Sequence, residues 1–280
     1  MRIGSALLSL SLLLVSGCAE ARSAASVVSA IGAGTGTGES RSHFRAAKDF
    51  DAEILRMRLV AAQPAWPGPR LPAAPPARRI DCRQHRCVAL TFDDGPGDNT
   101  GTVLDILAAH HARATFFLLG QMITGGTRDF VRRMVAEGHE VGNHSWDHAA
   151  LAGLSSAALS RELDRTQDVV RRTTGVRMTL MRPPYGSTNK EVEAASRKEG
   201  LAQIMWAVDT LDWRDRNPAL VAKRCGEAKP GDIVLMHDIH PTTVKALPHL
   251  LDELDRKGFT YVTVSELLGS PLPGKQYFNR

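Results

Sequence analysis

From residue 80 onward, short apolar runs alternate with helix-patterned stretches, and this alternation constrains the fold more than any other feature of the chain. The runs fall at 88–92, 114–119, 140–142, 179–181, 202–208, 233–236 and 261–264. Helical patterns occupy 102–111, 127–137, 156–173, 190–198, 218–228 and 244–257 between them. A strand can gain a parallel neighbour only through a crossover long enough to hold a helix. Seven such runs therefore predict an α/β fold, either a barrel or a doubly wound sheet. The region of about 190 residues is short for an eight-fold barrel. In both architectures reactive groups gather where strands end at their carboxyl side. Functional residues are therefore expected just after each run.

The first run (Val88, Ala89, Leu90, Phe92) delivers two adjacent carboxylates to a turn, Thr91-Phe92-Asp93-Asp94-Gly95-Pro96. Neighbours leaving a strand point in different directions. One acid can bind a metal while the other faces a reacting water. An Asp-Asp-Gly by itself is an ordinary turn. After the third run comes Asn143-His144-Ser145-Trp146-Asp147-His148. Histidines four apart are expected on one face of a helical turn, with both rings reaching one ion. With Asp94 as third ligand, two imidazoles and a carboxylate match a catalytic metal site that keeps an open position. The same spacing also occurs on any polar helix face. Trp146 reads equally as a platform on which a ligand stacks or as packing.

Arg182-Pro183-Pro184-Tyr185-Gly186 follows the fourth run. Its prolines fix the backbone, and Arg182 is expected to clamp a carboxylate through two nitrogens. A proline-rich turn with a surface arginine is the alternative. After the fifth run stands an acidic turn with an aromatic, Asp209-Thr210-Leu211-Asp212-Trp213. After the sixth, Leu235-Met236-His237-Asp238 brings a histidine out of a buried strand, a place where a satisfied core histidine also occurs.

Together the five motifs resemble the polysaccharide deacetylase family, the NodB-homology domain of carbohydrate esterase family 4, over residues 86–268. The resemblance implies a distorted (β/α)7 barrel and the removal of acetyl groups from polymeric sugars. It implies that Asp94, His144 and His148 hold a divalent metal, zinc first and cobalt as the alternative. Asp93 would be the general base and Arg182 its partner. A backbone N–H at Tyr185 would face the oxyanion. His237 would be the general acid, held and charged by Asp212, and Trp213 and Leu235 would wall the acetyl pocket. Asp209 fits the pattern without an assigned role. The implied substrate is an N-acetylglucosamine-containing polysaccharide, peptidoglycan first; separately, the chain is expected to be a monomer. Chitin or chito-oligosaccharides and acetylxylan are alternative substrates. A wall-polysaccharide binding lipoprotein is the non-enzymatic alternative, although every reactive position carries the group turnover requires.

Arg2 and an apolar stretch over 6–15 read as an export signal too short to span a bilayer. It ends Leu14-Val15-Ser16-Gly17-Cys18, which resembles a bacterial lipoprotein signal whose cysteine carries lipid. Cleavage near Ala24-Ala25 would instead leave a secreted protein. The expected organisation is a signal over 1–18 and a tether over 19–79, rich in Ala, Gly and Ser and then in Pro. A deacetylase domain over 80–270 and a tail over 271–280 complete it. No other segment reads as a membrane span. Export permits a disulfide. Cys82 and Cys87 are expected to pin the domain's entrance, with free thiols as the alternative. His85 between them leaves too few ligands for structural zinc. Cys225 reads as a small buried residue of a helix. The net charge of +5 suits an anionic wall. With aromatics at 5% and no basic run interleaved with them, nucleic acid is excluded as a partner.

Overall fold

The computed structural model describes residues 78–280, so Cys18, the signal segment and the tether up to residue 77 lie outside it. The central strand β1 (Arg86–Asp93) is buried at every position after Arg86. Such a continuous apolar run belongs to a strand covered on both faces. Val88, Leu90 and Phe92 pack under helices. Cys87 and Ala89 point the other way, into a smaller cluster with Phe117, Leu180, Ile204 and Ile233. Thr91 and Asp93 are in phase with the second set, which is the barrel interior.

The chain alternates strand and helix: β1, α1 (Thr100–Ala109), β2 (Thr115–Leu118), α2 (Arg128–Ala136), β3 (Glu140–Asn143) and α3 (Ser156–Thr174). Then come β4 (Leu180–Met181), α4 (Lys190–Lys198), β5 (Ala202–Ile204), β6 (Val208–Asp209), α5 (Asp212–Asp215) and α6 (Pro218–Gly226). β7 (Ile233–His237), α7 (Pro241–Arg256), β8 (Phe259–Tyr261), α8 (Val264–Leu268) and β9 (Gln276–Tyr277) complete it. The strand order is β6-β7-β1-β2-β3-β4-β5-β9, with β8 paired to the start of β1. Every named strand pair is parallel.

β5 and β6 lie towards opposite ends of this order, yet only residues 205–207 separate them. The single run expected over 202–208 is thus two strands. Its first part pairs with β4 and its second with β7. At the bend the Met205 N–H turns to the Tyr277 carbonyl (2.7 Å) and the Ala207 N–H to that of Ile233 (2.9 Å). This change of partner brings the two ends of the sheet together and makes the curled sheet a distorted barrel. Residues 271–280, expected as a tail, supply β9 beside β5. Asn279 then bridges Asp232, and the Arg280 N–H reaches the Gly231 carbonyl at 2.9 Å. The run expected over 261–264 shifts to Phe259–Tyr261, because Thr263 and Glu266 form a capping box that starts α8.

Cys82 and Cys87 form a disulfide, and Cys87 lies within β1 rather than before it. Arg78 binds Glu266 at 2.8 Å, a second tie at the entrance. Cys225 is unpaired in α6, and burial pushes its thiol up to about 12. Among the described residues no helix is long and apolar enough to cross a membrane.

Candidate active site

Strand register sets the motifs level. Asp93 is the register partner of Phe117 and of His237. Leu118 pairs with Asn143, and Asn143 with Met181. One residue further along, Asp94, His144 and Arg182 leave the sheet together at its carboxyl end.

Asp94 Oδ1 lies 3.4 Å from His144 Nε2 and 3.3 Å from His148 Nε2. The ligating atoms of the three residues all fall within 4.8 Å of one another. Asp94 Oδ1 is buried with no hydrogen-bond partner among the described residues. His144 Nδ1 is 2.7 Å from the Arg182 carbonyl oxygen, so this nitrogen donates to it and Nε2 is the ring nitrogen turned to the cluster. Burial, then the neighbouring His144, lowers the pKa of His148 and favours the neutral ring that ligation needs. An orphaned carboxylate oxygen converging with two imidazole nitrogens fits a divalent cation.

The helical turn expected to bring the histidines together is absent. Past Asn143 the chain is an irregular loop in which Ser145 and His148 adopt φ of 68° and 67°. These left-handed residues fold His148 back until the two rings are 5.1 Å apart. Helical N–H bonding gives way to side-chain acceptors around the loop. Asp94, Tyr185 and Leu211 are left-handed as well. Such strain, about 1–3 kcal/mol per residue, persists only where the surroundings over-determine it.

Beside the cluster, Arg182 is wholly buried. Its Nη1 donates to Asp93 Oδ1 and to Thr91 Oγ1, both at 2.8 Å. Nε and Nη2 donate to the carbonyls of Ile204 and Met205, each at 3.0 Å. The expected two-nitrogen clamp is therefore not formed. One nitrogen serves the carboxylate, because the others satisfy backbone at the bend between β5 and β6. Phe117 supports the guanidinium from 4.3 Å. The second Asp93 oxygen faces His144 Nε2 at 3.7 Å.

On the far side, His237 Nδ1 meets Asp212 Oδ1 at 2.8 Å. The same carboxylate, fully buried, accepts from the N–H of His237 (2.7 Å), the N–H of Trp213 (2.8 Å) and the hydroxyl of Thr243 (2.6 Å). Burial alone would lower the His237 pKa. The hydrogen bond and charge of Asp212, with Asp93 and Asp94 behind, outweigh it and raise it to about 9. His237 Nε2 is 4.0 Å from Asp94 Oδ2, so it looks onto the cluster.

Asp93, Asp94, His144, His148 and His237 line a cavity of about 360 Å³, walled by Pro183, Trp206 and Leu235. Tyr185 is 71% and Trp213 46% exposed, which puts both aromatics on its rim. Trp146 does not line it. This ring packs against the core with the Arg165 guanidinium 3.8 Å above, which decides for packing over sugar stacking. Asp209 does line it, and its Oδ1 accepts from Leu211 N at 2.8 Å, shaping the turn that precedes Asp212.

Two residues of the site region have a place that the motifs do not assign. Trp206, an aromatic within the fifth run and just past the end of β5, carried a signal in its position. Asp238 stands next to a motif residue and faces the other way. It is buried beneath Gly95, where it accepts from Thr100 Oγ1 at 2.5 Å, and burial raises its pKa to about 7.

The fold and site define an α/β barrel with a three-residue cluster that could hold a metal ion, set between a buried carboxylate–arginine pair and a histidine–carboxylate pair. Residues 81–204 match the family model described as polysaccharide deacetylase. The chain is 43% identical over 214 residues to the peptidoglycan-N-acetylglucosamine deacetylase PgdA of Listeria monocytogenes, covering 75% of this chain and 44% of that protein. It is 36% identical to the peptidoglycan-N-acetylglucosamine deacetylase of Bacillus cereus, across 67% of this chain and 72% of that one. The solved family 4 carbohydrate esterase from Streptomyces lividans in complex with acetate superposes with a TM-score of 0.62 at 34% identity, over 67% of this chain and 97% of that one. The chain belongs to the polysaccharide deacetylase family. It spans less than half the length of the Listeria protein that it matches.

Proposed function

We propose that this chain is a metal-dependent hydrolase that removes N-acetyl groups from the N-acetylglucosamine of peptidoglycan. The observation that carries this reading is the orphaned Asp94 Oδ1 converging with His144 and His148, with Asp93 and His237 on either side of the cavity.

Asp94, His144 and His148 would hold the metal, zinc by the chemistry of the donor set. Bound there, it supplies Lewis-acid polarisation of the acetyl carbonyl. Asp93 takes the proton of the attacking water, and the Arg182 charge keeps it ionised until then. A backbone N–H at Tyr185 steadies the oxyanion. His237 gives its proton to the departing amine, and Asp212 keeps that proton in place. Trp213 and Leu235 enclose the acetyl methyl group.

The deacetylase domain begins near residue 80, and the chain ahead of it serves for export and tethering. Lipid on Cys18 would anchor it at the membrane facing the cell wall. The Cys82–Cys87 disulfide supports export, since such bonds persist in oxidising compartments. A mass measurement of the exported protein tests the anchor, and an unmodified Cys18 refutes it.

The function is tested by acetate release from peptidoglycan fragments, chito-oligomers and acetylxylan side by side, with and without chelator. Release from peptidoglycan that the chelator abolishes is expected. Undiminished release by metal-free protein overturns the mechanism, and a preference for acetylxylan makes the chain an esterase.

A further inference from the structure

We propose that Glu162, on α3, is a positioning residue for the ligand cluster: it holds the loop between His144 and His148 in the conformation that aims both imidazoles at Asp94. This rests on the reading of Asp94, His144 and His148 as metal ligands, and it adds a residue from outside all five motifs.

The loop lies outside helix and strand, so its N–H groups must find acceptors elsewhere. The N–H of His144 donates to the Leu118 carbonyl at 3.0 Å. That of Ser145 donates to Asn143 Oδ1 at 2.9 Å, and that of His148 to Ser145 Oγ at 3.0 Å. The two at the apex, Trp146 and Asp147, both donate to Glu162 Oε2, at 2.8 and 3.2 Å. Glu162 is the one acceptor among these that another element brings as a side chain, and one of its oxygens serves both apex N–H groups. Its place is fixed by Leu159 and Leu163, buried to either side on α3. Asn143 Nδ2 ties the loop's other end to the Leu163 carbonyl at 2.9 Å.

Ser145 and His148 hold left-handed φ values that non-glycine residues leave when released. Freeing the apex would let this strain relax. His144 would stay, since its side chain is 3% exposed and tied to the Arg182 carbonyl. His148, 25% exposed, would swing out. Glu162 therefore acts through His148.

The test is titration of Co²⁺ into the metal-free full-length chain, followed by calorimetry and by visible absorption. Glu162→Ala is expected to weaken binding about 10–100-fold and to change the absorption bands. Glu162→Gln, whose amide oxygen accepts the same two N–H groups, should bind near the wild-type affinity. Glu162→Asp, one methylene shorter, should weaken binding as Ala does. In a His148→Ala background, Glu162→Ala should add no further loss. Unchanged affinity in Glu162→Ala overturns the proposal, as does an equal loss in the His148→Ala background. If Glu162→Asp binds well and Glu162→Gln poorly, charge rather than position is responsible and the proposal fails. Should Glu162→Ala not fold, the Gln–Asp contrast decides. A wild-type chain that takes up no Co²⁺ overturns the metal reading together with this proposal. A binding wild type matched by Glu162→Ala overturns this one alone.

Discussion

Arg182 Nη1 lies 2.8 Å from Asp93 Oδ1, with both side chains closed to water inside the barrel. A buried pair contributes little net stability, but losing one partner strands a charge. Arg182→Met should therefore lower the unfolding free energy by about 3–5 kcal/mol in urea titrations. Arg182→Lys should recover only part of this, because an ammonium cannot also reach the Ile204 and Met205 carbonyls. Asp93→Asn should abolish acetate release while leaving metal uptake intact, since Asp93 stands outside the Asp94–His144–His148 cluster. Persistent release would mean that the base is another residue.

His237 should govern the alkaline limit. Its pKa is raised to about 9 against the pull of burial, chiefly by the bond and charge of Asp212. The acid form thus persists through neutrality, and the rate should fall only above pH 9 or so. The stabilisation from the pair has the matching sign: complete below the ordinary histidine value of about 6.5, lost as pH rises through the folded one. Asp212→Asn should shift the alkaline limb of the pH–rate profile to lower pH; an unmoved limb would remove His237 from the acid role.

His139 predicts acid sensitivity away from the site. The residue is 6% exposed, and its Nδ1 accepts from the Ala114 N–H at 3.1 Å, so the ring is neutral. Burial, then Arg113, Arg133 and Arg78, lower its pKa to about 4. The unfolded chain therefore binds this proton more tightly than the folded one. Stability should be full above pH 6.5 and decline towards pH 4, by about 3 kcal/mol at and below it. Urea midpoints across that range, compared with His139→Gln, measure the contribution; parallel curves for the two proteins would contradict it.

Gly95 leaves no room for a side chain. A Cβ there would stand 2.5 Å from Asp238 Oδ1, and Asp238 is buried and bonded to Thr100. In Gly95→Ala the loop bearing Asp94 should move, costing about 1–3 kcal/mol of stability and weakening Co²⁺ uptake. Truncating Asp238 to Ala in the same chain should restore part of that uptake, a non-additivity that marks direct contact. Equal and independent losses would refute the clash.

The alternation of apolar runs and helical patterns specified a parallel α/β sheet, because burial on two faces leaves a continuous hydrophobic record along each strand. The polar residues after those runs marked where chemistry could gather, and their types allowed a ligand set. Only the tertiary structure decided which backbone groups bond to which. It split 202–208 into β5 and β6, drew the last residues into β9, and replaced an expected helical turn at His144–His148 with a left-handed loop. It also spread Arg182 over one carboxylate, one hydroxyl and two carbonyls. The physical reason is common to all four. Hydrophobic period reports whether a side chain is buried, whereas hydrogen-bond partners and strained φ angles depend on acceptors far along the chain, such as Glu162, Tyr277 and Met205, that no local pattern announces.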